Sequence, residues 1–303
     1  MTPKAPAEEI RVGKRTVAIS RRDKVLFPGD GITKGDLVEY YAAIAPKMVP
    51  YTRDRPDTLE RYPDGLGNER IFQKNASKYF PEWIPRGEVR KKDGAVTHVL
   101  ANDPATLAYL ANQAVITHHV WLSTMKQLHK PDQLIFDLDP SGEDFDEVRE
   151  TALGLRAVLT DLGLVPFVKT TGSRGLHVVV PLRPAEGYEG VYAFSRRVAE
   201  IMIAEQPDVL TLEFMKAKRK GRIYFDIDRN AYAQTAVAPF SVRPLAGAPV
   251  AVTLDWSEVE SKKLRPNGFS MKDALGRDDA WEGFRKAARR VGPAIKKIGR
   301  DGD

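Results

Sequence analysis

The sequence predicts a mixed α/β fold of the α+β type, and three observations support this prediction. The second half of the chain alternates β-branched apolar runs with amphipathic helical patterns. The first half holds two clear helical patterns in an irregular, proline-rich setting. Apolar residues occupy 42% of the 303 positions, which is enough for one large core or two modest ones.

Composition limits the classes of function. Lysine and arginine outnumber aspartate and glutamate by 47 to 41, a formal net charge of +6 that favours a polyanionic partner. The absence of cysteine excludes disulfides, thiolate zinc sites and cysteine nucleophiles. The sequence starts without the apolar run of a signal peptide, and no apolar run approaches the roughly 18 residues of a membrane span. We therefore expect a cytoplasmic protein without a membrane partner.

The first region, approximately residues 16–130, is predicted to contain two helices. Thr33 can cap the first, because Asp36 follows three residues later as in a capping box. Asp103 and Pro104 open the second, since proline is common at the first helical position. We expect the polar ends of the chain, residues 1–15 and 291–303, to be frayed or flexible.

The second region, approximately residues 131–290, is predicted to contain four strands and two helices. Its elements follow one another as strand 133–138, a helix ending at Gly163, strand 164–170, strand 176–182, a helix around 191–202 and strand 222–228. This βαββαβ order is that of ferredoxin-like and RNA-recognition folds. In that topology the first and last strands are neighbours, and the third lies on the other side of the first.

Two acidic pairs lie on the predicted neighbouring strands. Asp137 and Asp139 belong to the first strand, and Asp226 and Asp228 to the last, so each pair shares one face. Grouped carboxylates repel one another unless a divalent cation neutralises them, and all-oxygen ligation favours Mg²⁺ or Mn²⁺. Two such ions can promote phosphoryl transfer, and a phosphoesterase could use the same groups. A single Asp-x-Asp is also ordinary turn chemistry.

A glycine-bearing turn at residues 171–175 precedes the third strand. Its backbone amides and Arg174 could cradle phosphates, or its glycines could merely supply the positive φ of a hairpin. His177 follows on the strand, and His119 stands beside His118 at what we expect to be a helix end. For both His177 and His119, a ligand-binding role and a structural role remain open.

Basic residues concentrate just before the last acidic strand. This stretch contains Lys216, Lys218, Arg219, Lys220 and Arg222. Lys24 and Lys34 flank Phe27, and Phe72 stands two residues before Lys74. Cations interleaved with aromatic rings suit a nucleic-acid backbone and a stacked base, although charge runs also serve as solvated faces.

Together these motifs resemble the polymerase domain of bacterial DNA ligase D. The resemblance rests on residues 23–28, 31–37, 61–65, 73–75, 136–140, 172–177 and 238–243, in the family's order and spacing. It extends from about residue 16 to residue 290. The family belongs to the archaeo-eukaryotic primase superfamily, so the resemblance implies a single primase-polymerase domain. Its RNA-recognition-like catalytic core would be joined to an N-terminal αβ subdomain.

The resemblance also implies a function. The expected activity is template-directed nucleotidyl transfer that fills gaps and extends ends in non-homologous end joining, with ribonucleotides preferred and two Mn²⁺ or Mg²⁺ ions used. The implied partners are DNA with gaps or ends bearing a 5′-phosphate, nucleoside triphosphates, Ku and a separate ATP-dependent DNA ligase. The length leaves no room for ligase or phosphoesterase modules, so we expect a stand-alone, nucleoid-associated polymerase or an excised domain. A closely related alternative is a stand-alone primase-polymerase that fills short gaps in excision repair.

Roles for individual residues follow from the same resemblance. Asp137, Asp139 and Asp226 would be the catalytic metal ligands, with Asp226 chosen over Asp228 because the family motif fixes it. The positions that contact the incoming nucleotide correspond to His119, Thr171, Ser173, Arg174, His177, Arg229 and Arg243. By the same resemblance, Lys24 and Lys34 would bind the downstream 5′-phosphate and Phe72 would stack on a template base. Arg219 would lie in the loop that contacts the primer end.

The sequence departs from the family pattern at several positions without losing a metal ligand. Thr171 replaces the usual serine, Arg174 stands where lysine is common, and Ile71 replaces a second aromatic residue before Phe72. An alternative from another class is a non-catalytic nucleic-acid-binding module. Such modules place aromatic residues on the sheet surface, where this sequence places carboxylates.

Overall fold

The computed structural model describes residues 8–142 and 144–300. The outer parts of both predicted frayed ends, residues 1–7 and 301–303, lie outside the described residues. In the described part the helices are α1 Lys34–Thr52, α2 Pro104–Asn112, α3 Phe145–Asp161, α4 Tyr188–Glu205, α5 Trp256–Val259, α6 Met271–Gly276 and α7 Gly292–Arg300. The strands are β1 Glu8–Val12, β2 Arg15–Ile19, β3 Val25–Phe27, β4 Ile32–Thr33, β5 Asp57–Arg61, β6 Ile71–Gln73, β7 Arg86–Lys91, β8 Gly94–Val99, β9 Val115–Trp121, β10 Gln133–Asp139, β11 Phe167–Thr170, β12 Leu176–Pro181, β13 Leu210–Thr211, β14 Ile223–Asp226, β15 Thr235–Val237 and β16 Thr253–Leu254.

The chain forms two compact units, each assembled from separate segments. The first unit comprises the described residues up to Val120 together with Val237–Val250 and Ser270–Arg277. The second comprises Trp121–Ala236, Ala251–Phe269 and the residues from Asp278 onward. The first boundary between the two units thus lies near residue 120, whereas the sequence predicted a boundary near residue 130.

The first unit is built on a sheet in which β9, β5, β8 and β7 lie side by side, with β6 also paired to β5. Both predicted helix starts are confirmed: Thr33 and Asp36 form a capping box on α1, and Asp103 caps α2 with Pro104 in its first turn. His119 lies within β9 rather than at a helix end. The reason is that α2 stops at Asn112, Ala114 adopts a left-handed φ of 57°, and a β-branched run follows.

The second unit is built on a six-stranded sheet in the order β13-β14-β10-β12-β11-β16. Its central four strands have the predicted order, with β14 and β12 on opposite sides of β10, so the βαββαβ prediction is confirmed. Two strands end differently from the prediction, because β11 starts only at Phe167 and β14 stops at Asp226. The edge strands β13 and β16 have two residues each, too few to show a recognisable alternation.

The predicted flexible tail is a helix over the part that the structure describes. Ala294 and Ile298 are buried on one face of α7, four residues apart, and Val291, also buried, directly precedes the helix. The polar composition of this segment concealed a short apolar stripe.

A search of the described residues found no helix that is both long enough and apolar enough to cross a membrane.

Candidate active site

Four polar side chains form a row across the sheet of the second unit. Lys169 on β11 pairs with His177 on β12, His177 pairs with Asp137 on β10, and Asp137 pairs with Asp226 on β14. Directly opposed residues point to the same face of a sheet, so the register brings the four groups together. Lys169, which is 1% exposed, was missed by the sequence analysis. The signal for it was a lysine inside the apolar run that ends at Thr170.

Asp137 and Asp226 share one arginine. The Nε of Arg229 lies 3.6 Å from Oδ2 of Asp137 and 3.2 Å from Oδ2 of Asp226. Burial raises the pKa of Asp226 to about 6, with Asp137 adding to the rise and Arg229 opposing it. Burial would also raise the pKa of Asp137, but His177, Arg229 and Lys169 lower it to about 2. Both groups are therefore predominantly carboxylates at neutral pH.

His177 completes this arrangement as a buried, neutral imidazole. Its Nε2 lies 3.4 Å from Oδ2 of Asp137. Burial and the nearby charge of Lys169 lower the pKa of His177 to about 4, and the attraction of Asp137 only partly offsets this. The ring is therefore uncharged at neutral pH, and the negative charge of the carboxylates is balanced by Arg229 and Lys169.

Asp139 is the third predicted ligand, and its carboxylate joins two arginines. Nη2 of Arg174 lies 2.8 Å from one carboxylate oxygen, and Nη1 of Arg219 lies 2.9 Å from the other. Arg219 also donates to the carbonyl groups of Glu213 and Phe214. The predicted primer-end loop is thereby attached to the acidic strand.

Asp228 lies beyond the end of the strand on which the sequence predicted it, and its carboxylate shares the Tyr224 hydroxyl with that of Asp226. Strand β14 stops at Asp226, and residues Asp228–Asn230 form a 3₁₀ turn. The carboxylate of Asp228 accepts hydrogen bonds from the hydroxyls of Tyr192 and Tyr224. The Asn230 side chain anchors this turn through both the N–H and the carbonyl of Ile135, which holds Arg229 next to the carboxylates.

The turn at residues 171–175 is held by its first side chain. The Thr171 hydroxyl accepts from the backbone N–H groups of Ser173 and Gly175 and donates to the Gly175 carbonyl. Gly172 has a φ of +66°, and a Cβ on Gly175 would lie 1.9 Å from the Leu138 carbonyl oxygen. Thr171 therefore shapes the turn, the glycines are sterically required, and Arg174 extends from it to Asp139.

The donor set of the acidic face fits a hard divalent cation. Asp137 and Asp226 are directly opposed, and Asp139 is the next residue on the same face of β10. All their donor atoms are oxygens, which Mg²⁺ and Mn²⁺ prefer. Within residues 8–142 and 144–300, no three His, Asp or Glu side chains are grouped tightly enough to hold a metal as they stand. Asp139 is instead turned to Arg174 and Arg219.

In the first unit, His119 and Phe72 form a second cluster with Glu60. His119 Nε2 lies 2.8 Å from a Glu60 carboxylate oxygen, and its ring centroid is 5.7 Å from that of Phe72. Phe72 is 49% exposed, and the Arg70 guanidinium lies 4.8 Å from its ring centroid. The charge of Arg243 lowers the pKa values of both Glu60 and His119, so Arg243 belongs to the same neighbourhood.

Lys24 and Lys34 lie together in the first unit, apart in sequence but joined by backbone contacts. The N–H of Lys34 donates to the carbonyl of Lys24 at the start of α1. Lys34 Nζ donates to the Ser20 hydroxyl at 3.0 Å, and Lys24 Nζ lies 2.7 Å from Asp64. Burial together with the charges of Arg21 and Lys24 lowers the pKa of Lys34 to about 8. Burial is the main cause of this depression, and the two neighbouring cations add to it.

Comparisons with known proteins show the family to which the chain belongs. Residues 33–282 match the family model described as "LigD, primase-polymerase domain". The chain is 35% identical to the multifunctional non-homologous end joining protein LigD of Mycolicibacterium smegmatis, over 88% of this chain and 35% of that protein. It is 31% identical to the bifunctional LigD of Bacillus subtilis, over 84% of this chain and 41% of that protein. The chain therefore spans little more than a third of the length of these relatives.

A solved structure matches more completely. The polymerase domain of Mycobacterium tuberculosis ligase D, in complex with DNA, is similar with a TM-score of 0.84 and 31% identity. The match covers 90% of this chain and 99% of that domain. The sequence match and the mixed α/β fold lead to one conclusion: the chain belongs to the LigD primase-polymerase domain family, which implies a nucleotidyltransferase.

Proposed function

We propose that this chain extends the 3′ end of DNA in a template-directed reaction, filling gaps and extending ends during non-homologous end joining, with a preference for ribonucleotides. The observation that carries the proposal is the direct pairing of Asp137 with Asp226, beside the buried His177. A sheet surface that served only to bind nucleic acid would gain nothing from these acids, because they repel a phosphate backbone.

Asp137, Asp139 and Asp226 are the residues proposed to hold Mn²⁺ or Mg²⁺. When bound, such ions supply charge neutralisation and a lowered pKa of the primer 3′-hydroxyl. The three carboxylates are fixed by the sheet, since two of them are register partners and the third is two residues along β10. This rigidity suits a reaction in which positioning and electrostatics supply most of the rate.

The proposed triphosphate contacts are cationic and amide groups around the same face. Arg174 and Arg229 carry forked guanidinium groups that can bind phosphate oxygens in pairs, and each now neutralises a carboxylate. Ser173 and His177 stand next to them along the turn and β12. Thr171 is proposed to act by holding the turn, because its hydroxyl already makes three hydrogen bonds there. His119 and Arg243, in the first unit, remain predictions for nucleotide contact.

DNA contacts are proposed for the first unit. Lys24 and Lys34 would bind a downstream 5′-phosphate, because Asp64 pairs with Lys24 whereas Lys34 donates to the neutral hydroxyl of Ser20. Phe72 would stack on a template base through its exposed ring. In the second unit, Arg219 would contact the primer end, because it connects the loop at Glu213 and Phe214 to Asp139. Ku and a separate DNA ligase are the proposed protein partners.

Primer extension on a gapped duplex tests this proposal. The parent protein is supplied with Mn²⁺, and ribonucleotides are compared with deoxynucleotides, and a downstream 5′-phosphate with a 5′-hydroxyl. We expect phosphate-stimulated extension that prefers ribonucleotides and is abolished by combining Asp137→Ala with Asp139→Ala, while DNA binding is retained. Tight DNA binding by the parent without any extension would instead support the non-catalytic module.

A further inference from the structure

Glu60 is a buried carboxylate that touches His119, and neither the sequence motifs nor the proposed reaction gives it a role. It is 3% exposed, on strand β5, and its Oε2 lies 2.8 Å from Nε2 of His119. The Tyr62 hydroxyl donates to its other oxygen at 3.3 Å, and Arg70 lies 3.9 Å from that oxygen. Glu60 is therefore held on both oxygens, with one of them committed to the imidazole.

This contact determines which imidazole nitrogen carries the proton. Burial would raise the pKa of Glu60, but the hydrogen bond and charge of His119 and the charge of Arg243 lower it. Burial lowers the pKa of His119. An ionised carboxylate can only accept, so a neutral His119 must place its single proton on Nε2. Its Nδ1 then carries a lone pair.

The Nδ1 atom is available to a ligand, and its ring is held in place. Among the described residues, His119 makes a hydrogen bond through Nε2 alone. The side chain is 17% exposed, its backbone is fixed opposite Thr58 in the sheet, and its ring packs on Phe72. Nδ1 is therefore a fixed acceptor that is not already used by the protein.

We propose that Glu60 is a positioning residue that makes His119 an obligate acceptor at Nδ1, and that this acceptor selects a nucleotide with a ribose hydroxyl. The inference rests on the proposed role of His119 in nucleotide contact. Ionised phosphate oxygens only accept hydrogen bonds, so a lone pair on Nδ1 discriminates against them and favours a hydroxyl donor. The contact would connect a carboxylate on β5 to the sugar through one imidazole.

The tautomer can be measured without any activity. Two-dimensional ¹⁵N NMR of the full chain, with histidines labelled and His119→Gln used for assignment, distinguishes protonated from unprotonated ring nitrogens. At pH 7.5 we expect the proton of His119 on Nε2, and we expect Glu60→Gln to produce a mixture, because an amide can either accept or donate. A parent His119 that carries its proton on Nδ1 would overturn the proposal.

Nucleotide selection supplies the second readout. We compare KM and kcat for ATP, 2′-deoxy-ATP and 3′-deoxy-ATP in single-nucleotide gap filling. For one of the two deoxy analogues, we expect Glu60→Gln to lower the ratio of its KM to the KM of ATP about tenfold. This is the value of one well-placed hydrogen bond, and we expect a smaller change in kcat. Glu88→Gln, an exposed carboxylate on β7 of the same sheet, is the matched control and should behave as the parent.

The outcomes separate the inference from the function on which it rests. If the parent extends primers and Glu60→Gln retains the full ribose preference, the inference is overturned and the proposed function stands. If the parent does not extend primers at all, the proposed function fails and the ribose assignment fails with it. In that case the NMR result still decides the Glu60–His119 tautomer.

Discussion

Two charged clusters differ in how far their charge is neutralised by neighbouring groups. The acidic cluster of the second unit consists of Asp137, Asp139 and Asp226, and the basic cluster of the first unit consists of Lys24 and Lys34. Every carboxylate of the acidic cluster has an arginine within 4 Å, supplied by the same unit. Among the residues that the structure describes, the basic cluster is paired with one carboxylate, that of Asp64, which is largely exposed. The acidic cluster is thus internally compensated, whereas the basic cluster keeps an excess of positive charge.

The two clusters also differ in how the chain builds them. Register across β10 and β14 aligns Asp137 with Asp226, so their separation is fixed by backbone hydrogen bonds. The basic cluster joins a turn to the first residue of α1, where Lys34 is buried at a helix N-terminus. The helix dipole there favours an anion and disfavours the lysine charge. We infer that a metal ion must replace the arginines that now pair with the carboxylates before it can bind the acidic cluster. An anion can bind the basic cluster without such an exchange.

The largest expected effect is on primer extension, and it distinguishes Asp226 from Asp228. Asp226→Asn removes a carboxylate from the acidic cluster, and we expect primer extension to fall about a thousandfold or more, as for the loss of a catalytic metal ligand. Asp228→Asn changes a side chain that bonds to Tyr192 and Tyr224, so extension should fall less than tenfold. Equal losses in the two variants, measured at matched DNA affinity, would contradict the assignment of Asp226 rather than Asp228 as the metal ligand.

The next effect concerns the basic cluster alone. Lys34→Ala should remove about tenfold or more of the preference for a downstream 5′-phosphate over a 5′-hydroxyl, because a charge-assisted hydrogen bond is lost. Binding of DNA with a 5′-hydroxyl should change little. Fluorescence anisotropy at fixed salt measures both affinities, and Lys14→Ala, an exposed cation near β2, controls for the change in net charge. A parent protein that ignores the phosphate would refute the assignment.

The clusters should also respond to pH in opposite directions. Asp226 has its folded pKa raised to about 6, above the value of an unfolded aspartate, so it stabilises the fold at low pH and this contribution is lost as the pH rises from about 4 to 6. Asp226→Asn should therefore increase the free energy of unfolding by about 1–3 kcal/mol at pH 8, and by little at pH 4. Urea unfolding with EDTA present measures this, with the exposed Asp208→Asn as control.

Lys34 provides the contrasting case. Its folded pKa is lowered to about 8, so the charged form is disfavoured by folding and stability should rise as the pH increases from about 8 towards 10. A bound phosphate should reverse the shift, because it favours the ammonium form. Titration of the Lys34 side chain by NMR, with and without a 5′-phosphorylated oligonucleotide, measures this change. An unchanged pKa in the presence of bound phosphate would place the anion elsewhere.

The comparison also explains what the sequence could predict. The order of the β10–β14 core was predictable because apolar periodicity and turn residues mark each element. The pairing of Asp137 with Asp226 followed from topology, although its exact register could not be predicted. Lys169 was missed because one lysine in an apolar strand has no distinctive spacing. The last strand was predicted to continue to Asp228, because the residue at which a strand ends is set by a later contact, here that of Asn230 with Ile135.

The residues of the first unit were harder to predict from chemistry alone. Lys24, Lys34 and Phe72 lie in charged or aromatic surroundings that many surfaces share, so the family motifs identified them and periodicity did not. Glu60 had no signal at all, since its role depends on the β5–β9 pairing that puts it beside His119. Long-range contacts of this kind are encoded in tertiary packing rather than in local pattern.

The smallest expected effect tests whether Asp64 competes with the phosphate. Asp64 lies 2.7 Å from Lys24 Nζ, and Lys24, followed by Arg21, lowers its pKa, so its carboxylate is ionised where an anion is proposed to bind. Asp64→Asn should strengthen binding of 5′-phosphorylated DNA about twofold to threefold, because an exposed ion pair contributes little. The gain should shrink at high salt, where such pairs are screened. Weaker binding by Asp64→Asn would mean that this carboxylate instead orients Lys24 for the phosphate.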